Sequence, residues 1–415
     1  MPEDPSLSVG MRAECSTDSI SRPCDIVEKR TNQFGTTTHY YVHYVGCNRR
    51  LDEWVPADRV LAINPSLAPG APRAESSIHV QPQQRATRNM KRRIDNINAV
   101  HMSANHYDEA LEKEHEESTK MKNIHVVQIG RFELDTWYFS PYPEEFANLR
   151  KLYICEYSLK YMKGHSAYER HCAAETARNP PGREIYRCTA PLLNSDLLAA
   201  GLEQPSALTI WEVDGTKAQL YSQCLCLLAK LFLDHKTLCY DVEPFLFYVL
   251  CEILDDGGHH IVGYFSKEKR SQENNNLACI LVLPQHQKKG YSKLLIDTAY
   301  QLSIREGEVG SPEKPLSDLG ELSFRSYWTQ VLLRTLATHR GKLTVSELST
   351  MTAIASEDVV YTLQSLNLVR YWKGQHIISI SPKILDDYLK MNSRPSLLCE
   401  PEKLVWQPNE EVTSK

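Results

Sequence analysis

Residues 39–45, His-Tyr-Tyr-Val-His-Tyr-Val, alternate in polarity and are rich in β-formers, which predicts a strand with one buried face. Short strand-like segments at 9–15, 25–29 and 51–55 lie around turn residues at 32–35 and 46–48, so residues 8–62 read as a small β module. A second β pattern starts at 124–129 and 131–139, a hairpin turning at Gly130. The period then lengthens. Between 217 and 235, Leu220, Cys224, Leu227, Leu228, Leu231 and Phe232 recur at helical spacing and predict an amphipathic helix. Residues 234–253 predict a strand pair and 259–270 another strand, so an antiparallel sheet leads into the apolar run 277–283, itself a strand stopped by Pro284. A helix is expected from Lys293, with Leu294, Leu295, Ala299 and Leu302 along one side. A long helix at 324–339, two short ones at 344–350 and 356–366, and strands at 369–372 and 376–380 follow, with Ser356 as a predicted N-cap. The chain after Pro395 is expected to be irregular.

With 415 residues the chain has room for two or three domains, and 42% hydrophobic and 24% charged residues are ordinary for a globular protein. A net charge of −5 gives no global pull toward a polyanion, so any such contact needs a local patch. No apolar run approaches the roughly 20 residues of a membrane span, and the N-terminus does not read as a signal peptide; no membrane partner is expected. Twelve cysteines without a framework suit a reducing compartment and predict free thiols. Residues 63–118 read as a linker. Its basic cluster, Arg85, Arg88, Lys91, Arg92 and Arg93, suits either a nuclear localisation signal, a nucleic-acid patch or simply a solvated linker. The insert 189–208 reads as a surface loop or a partner-binding segment.

The chemistry concentrates between 275 and 320. Strand, glycine-containing turn (Gln287-Lys288-Lys289-Gly290-Tyr291-Ser292) and helix start in succession make a backbone anion site, because the first N–H groups of a helix have no partner and a glycine lets a ligand approach. The turn resembles the acetyl-CoA pyrophosphate loop, Gln-x-x-Gly-x-Gly/Ala, of lysine acetyltransferases. With Ala-Cys-Ile-Leu at 278–281 before it and Ser-Pro-Glu-Lys-Pro-Leu-Ser-Asp-Leu-Gly at 311–320 after it, the segment resembles the MYST family of histone acetyltransferases. Residues 40–55 resemble the chromo-barrel (Tudor-knot) domain of several such enzymes, and 135–146 the entry to the MYST domain. The blocks at 87–93, 110–117, 264–269, 371–376 and 401–408 are most similar to the males-absent-on-the-first subfamily.

The resemblance implies an α+β architecture: a chromo-barrel at 8–62, the linker, a MYST acetyltransferase domain at 119–396 with a zinc-finger-like segment at 152–176 and a winged-helix-like end, then a tail at 397–415. It implies Glu313 as general base, thirty-four residues after Cys279, the family's spacing. Cys279 has two readings, a nucleophile carrying an acetyl group or a small residue beside the thioester during direct attack; with no activating histidine assignable, direct attack is favoured. Acetyl-CoA would bind along Ile280, Leu281 and Val282, in the loop Gln287, Lys288, Lys289, Gly290, Tyr291, Ser292, Lys293 and Leu294, and near Ser317 and Ser326. Ser292 departs from the family's glycine, tolerable if its φ is negative and strained if positive. Lys236 matches the autoacetylated lysine; a surface lysine is the plain alternative. In the barrel, Tyr41, Tyr44 and Trp54 could cage a methylated lysine or simply pack, and Arg49 and Arg50 could contact nucleic acid.

The family's zinc pattern, Cys-x2-Cys-x12-His-x3-Cys, falls on Cys155, Ser158, His171 and Glu175. Only Cys155 and His171 keep family ligands, and serine is a poor one, so zinc is expected to be lost. Two functions follow. One is a nuclear acetyltransferase acting on nucleosomal histone tails, with histone four the implied substrate and a multi-subunit complex its setting. The other is a diverged paralogue acting as a chromatin-binding scaffold with weak or no catalysis. A DNA-reading winged helix has little support, because 356–367 carries no Arg or Lys.

Overall fold

The computed structural model describes residues 7–17, 20–32, 37–62, 121–146, 149–189, 205–339, 343–372, 375–378, 385, 387, 390 and 396–408. They belong to two units. The predicted linker with its basic cluster, most of the turn at 32–35 and most of the insert at 189–208 lie outside the described residues.

In the first unit the alternating stretch pairs on both sides. Strands β1 (Arg12–Thr17), β2 (Ile20–Thr31), β3 (Thr37–Tyr44), β4 (Glu53–Pro56) and β5 (Val60–Ala62) form an antiparallel sheet in the order β4-β3-β2-β1-β5. The register slips between Ile26 and Glu28, a bulge on β2; on β3, Tyr40, Tyr41 and Val42 are all buried, Tyr41 beside its cross-strand partner Trp54, which interrupts the expected alternation. Ala13, Cys15, Cys24, Ile26, Val42 and Val60 fill the core.

The second unit opens with the predicted hairpin, β6 (Val126–Ile129) and β7 (Phe132–Asp135), turned at Gly130 with φ 54°. Strand β8 (Lys151–Ile154) lies parallel to β6, and β9 (Tyr161–Met162) and helix α1 (His165–Ala174) complete the finger-like segment. The main sheet holds β10 (Arg183–Thr189), β11 (Ala207–Asp214), β12 (Phe245–Ile253) and β13 (His259–Glu268), with α2 (Gln219–Lys230) between β11 and β12. Residues 234–253 therefore yield one strand rather than two. The run 277–283 is also divided: β14 (Asn275–Leu277) leaves the sheet, and β15 (Ile280–Val282) becomes its edge beside β13.

Helix α3 (Tyr291–Glu306) follows, then β16 (Ser311–Pro312), which pairs in parallel with β14. Helix α4 (Asp318–Thr338) starts six residues before expectation, because Ser317 caps it by accepting from Gly320 N–H, with Asp318 and Glu321 in its first turn. Helix α5 (Val345–Thr352) carries a capping box between Thr344 and Glu347. Helix α6 (Ser356–Ser365) is capped at Ala355, so Ser356 is its first residue and not its cap. Strands β17 (Val369–Trp372) and β18 (Gln375–Ile378) form the expected wing. Leu294, Leu295 and Leu302 of α3 pack with Phe324 and Trp328 of α4 and Tyr248 and Phe265 of the sheet. Burying a leucine there contributes about 1.5–3 kcal/mol. The segment after Pro395 is short of regular structure, yet Leu404 and Trp406 are buried and Val405 N–H donates to Ile185 O at 2.7 Å, so it is docked rather than loose.

Candidate active site

The sheet's edge carries the cofactor candidates. Among the described residues, strand β15 pairs with β13 on one side only, Gly263 against Val282 and Phe265 against Ile280. Its other side leaves backbone groups for an extended ligand such as a pantetheine arm, with Val282 C=O already accepting from Gln287 Nε2 at 3.1 Å. The loop beyond it turns twice into left-handed backbone, at Lys288 (φ 64°) and Gly290 (φ 93°), and Gly290 caps α3. Helix α3 thus starts at Tyr291, two residues before expectation, and its N-terminal N–H groups stand within the Lys288–Leu294 stretch. Ser292 sits inside the helix at negative φ, which removes the strain its departure from glycine raised. Tyr291 does not face a ligand: it is buried and its hydroxyl donates to Glu252. Ser317 lines the neighbouring pocket, whereas Ser326 is exposed on α4 away from its lining. An open edge strand beside a glycine-capped helix start fits acetyl-CoA.

The pocket next to this edge has a volume of about 160 Å³ and is lined by Cys226, Lys236, Ser266, Glu268, Cys279 and Glu313 among others. Cys279 lies at the break between β14 and β15. Its N–H donates to Ser266 Oγ at 3.1 Å and its carbonyl accepts from Ser266 N–H at 2.8 Å, which turns the chain there. Lys236 is no surface lysine: it is 9% exposed, and its Nζ donates to Cys279 Sγ at 3.8 Å. Burial lifts Cys226, near the same lysine, to about 11, so it is a neutral thiol at physiological pH. Glu313 faces the pocket and stays accessible from outside. Partial burial raises its carboxyl above the ordinary carboxylate value, Glu268 and Glu273 raise it further, and Lys236 opposes them. Sequence reasoning did not single out Ser266, Glu268 or Glu273; two acids within six residues of each other are the only signal it had.

The four finger positions converge. Cys155, His171 and Glu175 bring their ligand atoms within 4.8 Å of one another, and Ser158 Oγ lies 2.8 Å from His171 Nε2. Glu175 is thus a third donor beyond the two counted from sequence. A thiolate, an imidazole and a carboxylate make three ligands, and the fourth place goes to a hydroxyl already hydrogen-bonded to the imidazole. A structural zinc wants four, mostly thiolate and imidazole, so the set does not fit a closed site. The segment has other supports. Cys155, Tyr157 and Met162 form a small core against Tyr153, Tyr168 and Cys172. Glu156 Oε2 meets His260 Nδ1 at 2.7 Å, and His260 Nε2 meets Asp256 at 2.9 Å.

The barrel aromatics pack rather than form an open cage. Tyr41 is 3% and Tyr44 4% exposed, and Tyr44's hydroxyl donates to Glu53 at 2.9 Å. Trp54 sits beside Tyr41 at 5.3 Å, and the Arg30 guanidinium covers its ring at 4.0 Å. A methylammonium would have to displace the protein's own cation. Arg49 and Arg50 occupy a short 3-10 turn capped by Asn48, with Arg49 exposed.

Comparison with known families agrees with this layout. Residues 179–404 match the MOZ/SAS family, residues 121–174 the MYST family zinc finger domain, and residues 7–62 the Tudor-knot, described as an RNA binding activity-knot of a chromodomain. The chain is 47% identical over 406 residues to histone acetyltransferase of the MYST family 2 from Arabidopsis thaliana, covering 97% of this chain and 86% of that protein. It is 43% identical over 457 residues to histone acetyltransferase MOF from Drosophila melanogaster, covering 98% and 53%. Full-length similarity at this level, on a chain with this barrel, finger and cofactor edge, shows that it belongs to the MYST family of histone acetyltransferases.

Proposed function

We propose that this protein transfers an acetyl group from acetyl-CoA to a lysine of a nucleosomal histone tail, with histone four as the first substrate to try. The observation that carries the reading is one pocket, at the end of the cofactor edge strand, lined by Glu313, Cys279 and Lys236 together. Acetyl-CoA supplies the activated acyl group and leaves as the free thiol. The protein's part is positioning and proton transfer. The backbone of Ile280, Leu281 and Val282 and the loop from Gln287 to Leu294 hold the cofactor. Glu313 takes the proton from the substrate ammonium, which has no lone pair until it is lost. Its raised carboxyl makes it a stronger base than a solvated glutamate. Direct attack by the amine is favoured over an acetyl-cysteine route, because Glu313 lines the same pocket and can take the proton from the substrate ammonium itself. Lys236, which lines the same pocket, is the candidate for autoacetylation.

The setting is chromatin in the nucleus, within a multi-subunit complex, with Arg49 and Arg50 as candidate nucleic-acid contacts. The finger holds its shape by packing and polar contacts, without a closed zinc. A scaffold with little catalysis is the second reading, favoured by the drifted finger. Labelled acetyl-CoA with purified protein and nucleosomes separates the two. Label should reach histone, and Glu313→Gln should lower kcat about 10²–10⁴-fold. Failure to bind acetyl-CoA would leave only the scaffold.

A further inference from the structure

One buried carboxylate beside the site has no part in the chemistry above. Asp358, in the first turn of α6, is 3% exposed. An acid at a helix start ordinarily faces solvent and its own N–H groups. Here both oxygens leave the helix. Oδ2 accepts from Ser311 Oγ at 2.7 Å and Oδ1 from Lys314 Nζ at 3.2 Å. These two partners bracket Pro312 and Glu313. The same stretch is pinned from elsewhere too. Glu313 N–H donates to Leu277 O at 2.8 Å, Gly310 N–H to Ala353 O at 3.0 Å, and Ala355 N–H to Gly310 O at 3.1 Å. The base segment thus hangs between β14 and the turn joining α5 to α6, and Asp358 is its one charged clamp among the described residues.

We propose that Asp358 is a positioning residue for acetyl transfer, holding the 311–314 segment so that the Glu313 carboxylate faces the pocket. The inference rests on Glu313 being the base. Lys314, 41% exposed, would contribute little as an isolated surface pair, so the effect should lie in geometry more than in stability. It should also show in titration. The charged groups acting on Glu313 are Glu268 of β13, Glu273 beyond it and Lys236 after α2, and Lys314 is its chain neighbour, held by Asp358. Removing the Asp358 charge takes away an anion and frees the Lys314 ammonium. Both changes favour ionised Glu313, so the acidic limb of the rate profile moves to lower pH.

The test uses the full chain, acetyl-CoA and nucleosomes. Asp358→Asn should lose about 10–100-fold in kcat, the scale of a small misplacement of a catalytic group, with KM for acetyl-CoA unchanged and the acidic limb shifted down. Lys314→Met should lose kcat likewise, the double variant should be no worse than Asp358→Asn, and Asp358→Glu should recover part of the rate. An unchanged kcat, an unmoved limb, or additive losses in the double variant would overturn the proposal. If Asp358→Asn does not fold, Ser311→Ala and Lys314→Met carry the test, and wild-type rates in both would overturn it. Full activity in Glu313→Gln would sink the base assignment itself; an inactive Glu313→Gln beside a fully active Asp358→Asn would sink only the clamp.

Discussion

Gly290 and Ser292 stand two residues apart in the cofactor loop, and the backbone makes opposite predictions for them. Gly290 has φ 93° and ψ −3°, where an L-residue costs about 1–2 kcal/mol. A Cβ there would meet Leu397 Cβ at 3.7 Å, an ordinary contact, so Gly290→Ala carries a conformational cost and no steric one. Where that cost appears depends on the empty loop. If the loop keeps its conformation without ligand, the loss falls on unfolding free energy. If it relaxes, the loss falls on acetyl-CoA affinity, up to about 5–30-fold in Kd. The two losses together should come to about 1–2 kcal/mol. Ser292 lies in the first turn of α3 at negative φ, so Ser292→Gly has no strain to relieve and should not tighten binding, even though it restores the family's residue. Titration calorimetry with acetyl-CoA and urea unfolding of both variants decide it. A Gly290→Ala variant neutral in both assays, or a tenfold gain from Ser292→Gly, would refute the backbone argument.

Cys279→Ala should keep kcat within about tenfold if the amine attacks directly, whereas loss of the acetyl-cysteine route's nucleophile would remove nearly all turnover; single-turnover kinetics reads the difference. Burial draws the His260 imidazolium toward neutral, but its hydrogen bonds to Glu156 and Asp256 outweigh this and put its pKa at about 9. A raised folded-state value adds stability that is complete below about 6.5, the unfolded value, and is lost as pH climbs through about 9. His260→Gln should therefore cost about 3 kcal/mol in urea unfolding at pH 6 and much less near pH 10; a loss independent of pH would contradict it. Metal analysis of purified protein should find far less than one zinc per chain, with a melting temperature indifferent to chelator, and near-stoichiometric zinc would reverse that reading of the finger.

Local pattern made the elements legible where one period dominated: the hairpin at Gly130, α2, and the wing at β17 and β18. It failed where pairing partners were decided far away. The apolar run 277–283 looks like one strand because hydrophobicity reports burial, not partner. The split at Cys279 comes from Ser266, thirteen residues back, and from β16, more than thirty ahead. The cofactor loop was readable because its chemistry is local, a glycine followed by a helix start. The pocket was not, since Lys236 and Cys279 meet across forty-three residues. Their union needed the family's motif order, not any spacing rule. The choice between cage and packing for Tyr41, Tyr44 and Trp54 was closed to sequence for a related reason: aromatic content does not show which ring faces are taken, and Arg30 takes one of them.

The finger's drift and the site's integrity have a common physical basis. Ser158 and Glu175 replace soft donors with hard ones, yet keep polar atoms where the family's ligands stand, so His171 remains between them, 2.8 Å from one and 3.6 Å from the other. A hydrogen-bonded cluster tolerates such exchange because its groups need only complementary donors and acceptors, whereas a closed zinc site needs deprotonated ligands in tetrahedral array. The tether through Glu156, His260 and Asp256 ties the finger to the β12–β13 turn by charge. None of these groups lines the pocket that holds Glu313 and Cys279. Substitution in the finger thus bears on how that segment is held, while leaving Glu313, the edge strand and the glycine-capped helix start intact.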